Sequence, residues 1–307
     1  MSGGWLGVGV LAVGMLVVAR GLARVPLGWG RGGAWLATVA AVVVAEWLLA
    51  GDVPLVRMAG LSLALLAGMK TVVYVEWSRA GARRLGLWRH LGFGLLWVGM
   101  DPGVFARPGM RLASARMLAE GSLITLAGVG LVVMVDAAGW RSVWGLFIPL
   151  SVAFHFGALR VLAGLWRAAG VPAKPLFRNP LGAASAADFW ARRWNLGYAQ
   201  MMAIGVARPL APLLGAKRAT FVVFIVSGIF HEVAITLPVR AGFGWPTLTF
   251  ILYGLVASRD LPPWPLPLRR ALTAISILLP LPWLFPPAFR AEVLVPITTA
   301  IARLLAG

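Results

Sequence analysis

Apolar runs of helix-spanning length recur along almost the whole chain, and no polar stretch between them is long enough to form a separate soluble domain. Such a chain must satisfy its own backbone N–H and C=O groups, because lipid offers them no partners, and helices do this within a single segment. Sixty per cent of the 307 residues are hydrophobic and 12% are charged, about half the charge share of a soluble domain. The expected fold class is all-α: a polytopic integral membrane protein forming one membrane-embedded domain over residues 1–307.

A spanning helix needs about 20 apolar residues. Candidate spans are 3–19, 34–51, 54–77, 119–138, 143–166, 219–239, 244–257, 271–286 and 290–306, which makes about nine transmembrane helices. Segments 91–100 and 199–215 are apolar but short or interrupted, and read as interfacial or re-entrant pieces.

The formal charge of +18 is almost all arginine. The arginines are scattered between apolar spans and build no basic domain, so nucleic acid is not an expected partner. Their placement follows the positive-inside rule instead. Arg20, Arg24, Arg31, Arg79, Arg83, Arg84, Arg89, Arg107, Arg111, Arg116, Arg167, Lys174, Arg178, Arg192, Arg193, Lys217, Arg218, Arg259, Arg269 and Arg270 fall on one side. The opposite loops hold only Asp52, Arg57, Arg141, Arg240 and Arg290. The expectation is a multi-pass protein of a bacterial inner membrane, with its N-terminus outside and its C-terminus cytoplasmic. Residues 1–9 carry no Lys or Arg, unlike the charged start of a signal peptide.

The absence of cysteine excludes disulfides, thiolate metal sites and a cysteine-bound acyl intermediate. With three histidines, His90, His155 and His231, no metal site is expected. His231 lies inside the apolar segment that begins near Thr220. Ionisable groups at bilayer depth cost roughly 2.5–3.5 kcal/mol even on the gentlest scale, so a function is the default reading. Imidazole is also well suited to take a proton from a hydroxyl. The alternative is a histidine that only packs between helices, and that is the expectation for His155. His90, beside Arg89 at a span edge, is expected to be solvated. Glu46, Lys70 and Glu76 are buried-charge candidates, and Lys70 could pair with Glu46.

The connection at 167–218 holds the string Asp188-Phe189-Trp190-Ala191-Arg192-Arg193-Trp194-Asn195. Asp188 is expected to cap a short interfacial helix starting at Phe189. On it Phe189, Arg192 and Arg193 would share one face, and Trp190 and Trp194 another. A second string, Ser227-Gly228-Ile229-Phe230-His231-Glu232, lies in the next span. Gly228 sits nearly one turn before His231 and opens room for a neighbouring helix or a substrate. Glu232 is rotated about 100° from His231 and is better placed to bond a neighbouring helix than to pair with the imidazole.

The two strings, about 36 residues apart and flanked by spans, resemble the signature of the membrane-bound O-acyltransferases, and within that superfamily the wax-synthase branch. The resemblance is concentrated in residues 175–240. It implies transfer of an acyl group from acyl-CoA to the hydroxyl of a lipid alcohol, giving a wax ester or a related neutral ester, with acyl-CoA as co-substrate and no other cofactor. It assigns His231 as general base and Asn195 as a second catalytic residue, and places Asp188, Arg192, Arg193, Trp194, Ser227 and Glu232 in the substrate site. Arg192 and Arg193, with Lys174 and Arg178, are candidates for the phosphates of the donor. Expected partners are acyl-CoA, an alcohol acceptor and membrane lipids. The competing readings are short-chain acyl transfer to a glycan or small alcohol, a transporter relaying protons through intramembrane His and Glu, and an inactive scaffold.

Overall fold

The computed structural model describes residues 3–79, 84–107, 109, 113–139, 142–259 and 262–306. Arg83, Arg111 and Arg141 lie outside the described residues. The chain is all-α. In order, the helices used below are α1 (Gly3–Leu22), α2 (Leu27–Leu48), α3 (Pro54–Arg79) and α4 (Leu87–Leu95). α5 (Ala115–Ala137) and α6 (Val143–Ala168) follow. Next come α7 (Ala186–Arg192), α8 (Leu196–Met202), α9 (Ala216–Val239) and α10 (Trp245–Ala257). The series closes with α11 (Leu266–Leu284) and α12 (Pro287–Ile301).

Among the described residues, six helices are long and apolar enough to cross a membrane: α1, α2, α3, α5, α6 and α9. α11 and α12 supply a seventh if taken together. Among the described residues this polytopic helical membrane protein therefore shows six or seven spans rather than the nine expected. α10 has 13 residues, about 20 Å at 1.5 Å per residue, short of a core of about 30 Å. The run at 271–286 is interrupted near Pro280 and Pro282, and Pro286 and Pro287 separate it from the run at 290–306, because proline lacks the N–H a continuing helix needs.

Two compact units are distinguished: residues 1–106 with 179–286, and residues 107–178 with 287–307. In the first unit, α1, α2 and α3 pack through Val8, Ala12, Met15, Ala41, Ala45, Leu49, Leu61, Ala64 and Ala67. Lipid tails are as apolar as these side chains, so close packing between small residues, rather than escape from water, holds the helices together. α3 is the central helix: 72% of its apolar window is buried, against 28% for α1 and 22% for α2. Val233 and Leu237 of α9 pack on the same core.

Several charged groups inside this unit are partnered. Arg31 forks onto Glu76 at 2.6 and 3.0 Å. The buried Arg57 guanidinium of α3 donates to Glu46 and to the carbonyls of Leu237 and Pro238. It thereby satisfies acceptors that the last turn of α9 leaves open. Glu46 also accepts from Arg240 at 3.0 Å. Lys70 does not pair with Glu46, contrary to expectation. Its ammonium donates to the carbonyls of Phe93 (2.9 Å) and Gly99 and lies 3.9 Å from the centre of the Phe93 ring. His90 is buried rather than solvated, because α4 turns it inward: Nε2 bonds the Leu16 carbonyl at 3.0 Å and the ring meets Tyr74 edge-on.

In the second unit, α5 and α6 run as a hairpin linked by Glu120, which accepts from Arg116 (2.7 Å) and Arg160 (2.6 Å). His155 lies in a wide π-type turn of α6, Ala153–Ala158, bonds Ser151 and packs on Phe177. This is the packing role expected of it.

Candidate functional site

α9 begins after Gly215, whose φ of 79° favours glycine, and runs as regular α-helix to His231. A π-type turn, Glu232–Thr236, follows directly. Such turns are frequent at functional positions because they re-aim side chains. His231 Nδ1 lies 2.7 Å from the Ser227 carbonyl one turn back. A carbonyl can only accept, so Nδ1 carries the proton and Nε2 presents a lone pair. The imidazole is half-buried, with Phe250 at 4.1 Å between ring centres on one side and Tyr198 at 6.0 Å, edge-on, on the other. Ser227 is buried and acts here through its main-chain oxygen.

Gly228 is a packing position. A Cβ placed there would come within 2.6 Å of Thr247 Cα, so only glycine lets α9 and α10 approach this closely. Glu232 fastens the same pair of helices. Its Oε1 accepts from Gly244 N (3.0 Å), Thr247 N (3.0 Å) and Thr247 Oγ1 (2.8 Å), and Oε2 accepts from Thr236 Oγ1. It thus satisfies the first N–H groups of α10 from a neighbouring helix, the role a capping side chain fills within its own chain segment.

The first motif forms a tight turn-and-helix unit. The N-cap of α7 is Ser185, not Asp188: Ser185 Oγ accepts from Asp188 N at 3.1 Å. The helix therefore starts at Ala186, three residues earlier than expected, with Asp188 in its first turn. The Asp188 carboxylate accepts from Ala184 N (3.2 Å) and Arg193 Nε (2.7 Å) and forms an ion pair with Arg192, whose Nε lies 3.0 Å from Oδ1. Burial alone would raise its pKa. The Arg193 bond, the Ala184 N–H and the two positive charges outweigh this and hold the carboxyl below its ordinary range.

Arg193 also donates to the Asn179 carbonyl at 3.0 Å, whereas the Arg192 side chain is 76% exposed. The expected faces are not observed. α7 ends at Arg192, so Trp194 folds back and stacks on Phe189 at 5.4 Å and 15°. Trp190 instead points among Phe224, Phe250 and Tyr253, and its Nε1–H is buried without a partner.

Asn195 has φ 42° and ψ 62°, a left-handed conformation that Asn tolerates better than most residues. It is the N-cap of α8, with Oδ1 accepting from Tyr198 N at 3.2 Å. Asn195 thereby sets the first turn of the helix that presents Tyr198 to His231. Sequence reasoning missed Tyr198, although its position three residues after a capping Asn was a usable signal. Lys174 and Arg178 belong to the other compact unit. Among the described residues, no three His, Asp or Glu side chains converge as a metal site would require.

Fold and site together define a polytopic helical membrane protein with a half-buried imidazole, its Nδ1 bonded to the Ser227 carbonyl, within the spanning helix α9. Residues 173–252 match the membrane bound O-acyl transferase family. A probable long-chain-alcohol O-fatty-acyltransferase 2 of Arabidopsis thaliana is 36% identical over 136 residues, 38% of this chain and 39% of that protein. The long-chain-alcohol O-fatty-acyltransferase of Simmondsia chinensis is 31% identical over 129 residues, 37% of each chain. The acyl-CoA–sterol O-acyltransferase 1 of Arabidopsis thaliana is 28% identical over 200 residues, 55% of this chain and 56% of that protein. The chain thus spans under two fifths of the two long-chain-alcohol relatives. The segment matched by the family model contains both motifs and His231, and the chain is similar over part of its length to the two long-chain-alcohol O-fatty-acyltransferases.

Proposed function

We propose that the protein is an acyltransferase that moves an acyl group from acyl-CoA to the hydroxyl of a long-chain alcohol, forming a wax-type ester in the membrane, with His231 as general base. The observation that carries this reading is the Nδ1 bond to the Ser227 carbonyl, which commits the imidazole to the tautomer with a free Nε2. The alcohol oxygen attacks the thioester carbonyl carbon while its proton passes to Nε2. The carbon–sulfur bond then breaks and the proton passes to the departing thiolate. No cysteine is present to carry the acyl group, and the proposed transfer is direct. A positioned base contributes about 10²–10⁴-fold.

His231 lies eleven residues into the apolar segment from Thr220, or about 16 Å. It is thus near the middle of a core of about 30 Å, where an acyl tail and a lipid alcohol can meet. The donor enters from the arginine-rich side, which the positive-inside rule makes cytoplasmic, with the N-terminus outside. The exposed Arg192 guanidinium offers a contact for its phosphates. The similarity to a sterol acyltransferase over more than half of the chain makes a sterol the second acceptor class to test.

The test is lipid analysis of cells expressing the protein or its His231→Ala variant, fed with fatty alcohols, sterols or diacylglycerol. New ester from fatty alcohol with the wild type, and a loss of about 10²-fold or more in the variant, is the expected result. Equal ester from a well-folded variant would refute the role of His231.

A further inference from the structure

Around His231 the polar atoms divide into two groups. The Glu232 carboxylate, the Asn195 Oδ1 and the Ser227 carbonyl are all engaged by protein donors. The Tyr198 hydroxyl is not. It lies beside Ser227 without the geometry of a hydrogen bond, and its oxygen is buried with no partner. An unpaired buried hydroxyl destabilises a fold, by about 1–3 kcal/mol. The Tyr198 ring stands edge-on to the imidazole at 6.0 Å. It sits in the first turn of α8, held by the Asn195 cap. A neutral O–H donor is therefore held next to the base, with the Ser227 side chain beside it and no well-formed hydrogen bond made to it.

We infer that Tyr198 is a catalytic residue, whose hydroxyl donates a hydrogen bond to the carbonyl oxygen of the acyl donor as that oxygen gains negative charge during attack. The inference rests on the acyltransferase reading of the His231 site. It divides the work between three side chains. His231 takes the alcohol proton, Tyr198 steadies the developing oxyanion without losing its own proton, and Asn195 is a positioning residue that acts through Tyr198. A donor preorganised in a site without water is worth far more to a developing charge than one that must compete with solvent. A ring held by two χ angles loses little entropy in being so placed.

The test is Tyr198→Phe, which keeps the ring and removes only the hydroxyl. It is assayed in purified protein with a long-chain acyl-CoA and a fatty alcohol, beside wild type and His231→Ala. The expected result is a fall in kcat of about 10-fold to 10²-fold with the KM values nearly unchanged, because the contact strengthens only in the transition state. The thermal midpoint should be equal or higher, since the hydroxyl has no partner to lose. A purely structural tyrosine would show the opposite pattern, with a lower midpoint and unchanged kcat. Ester formation at the wild-type rate by Tyr198→Phe, with His231→Ala inactive, would overturn this assignment and leave the acyltransferase reading standing. A wild-type protein that forms no ester would overturn both.

Discussion

Replacing Glu232 by Gln and by Ala should give two different proteins. The carboxylate holds four donors: the N–H groups of Gly244 and Thr247 and the hydroxyls of Thr247 and Thr236. Glutamine keeps an oxygen where Oε1 stands, so the three donors on that side remain satisfied. Its amide can donate to Thr236, whose hydroxyl also reaches the Glu232 carbonyl at 3.2 Å. What is lost is charge assistance, about 1–2 kcal/mol. Alanine leaves two main-chain N–H groups and the Thr247 hydroxyl without acceptors in a half-buried place, at a cost of about 3–5 kcal/mol.

With about 2–4 °C of midpoint per kcal/mol in chains of comparable size, Glu232→Gln should lose a few degrees and Glu232→Ala on the order of 10 °C. Thermal unfolding in detergent measures both. Activity below the midpoint decides what the carboxylate is for. If Glu232 only sets the register of α9 against α10, Glu232→Gln keeps kcat within about tenfold. A Glu232→Gln protein with the wild-type midpoint and a loss beyond about 10²-fold would put the carboxylate in the reaction itself and refute the clamp.

Arg192→Gln should raise the KM for acyl-CoA with little change in kcat and a normal midpoint, whereas Arg193→Gln should lower the midpoint first; steady-state kinetics and thermal unfolding separate them. Asn195→Asp keeps the oxygen that caps α8 and should retain most of the activity that Asn195→Ala loses; equal losses in the two variants would show that the amide N–H₂ is what matters. The Asp188 carboxyl has a lowered native pKa, so the unfolded chain binds its proton more readily and the contribution of Asp188 is fully present above the ordinary carboxyl range. Stability should therefore be flat in this respect near neutrality and fall as pH drops through the native value, below about pH 4, and Asp188→Asn should flatten that acid limb in pH-dependent unfolding. A single cysteine introduced at position 174 should react with membrane-impermeant reagents only from the cytoplasmic face; labelling from outside would reverse the proposed orientation.

Hydropathy made α1, α3, α5, α6 and α9 legible to within a few residues because each is one unbroken apolar run. It failed toward the C-terminal end because it records composition and not helix length. The run at 244–257 is apolar but only 13 residues of it are helical, and paired prolines divide the runs after it. Partner choice among buried charges was not legible either. Whether Lys70 meets Glu46 or the carbonyls of Phe93 and Gly99 depends on how α3 is rotated about its axis, which no local pattern fixes. The motif strings pointed to the candidate site, because His231 and Asn195 are rare residue types for their surroundings. They did not reveal which side chains other protein groups engage. That Asn195 caps and Tyr198 is left unpaired depends on a left-handed residue joining α7 to α8.

An unpaired polar atom is informative only when a simpler side chain would remove it. Several of the unpaired atoms among the described residues are arginine Nε groups. No shorter side chain would carry the same guanidinium to its place, so one idle nitrogen there comes with the charge itself. Tyr198 and Trp190 differ, as does Tyr74 beside His90. Phenylalanine would fill most of either of the first two sites, keep the ring contacts with His231 or Phe250, and avoid burying an unpaired donor. Each donor left idle costs about 1–3 kcal/mol, and the two together approach a sizeable part of the 5–15 kcal/mol by which a typical fold is stable. Both flank the neighbourhood of the His231 imidazole, whose Nδ1 is committed to the Ser227 carbonyl. A bound ester or thioester carbonyl is an acceptor only, so it would satisfy a lone O–H or N–H donor without adding a donor that itself needs a partner.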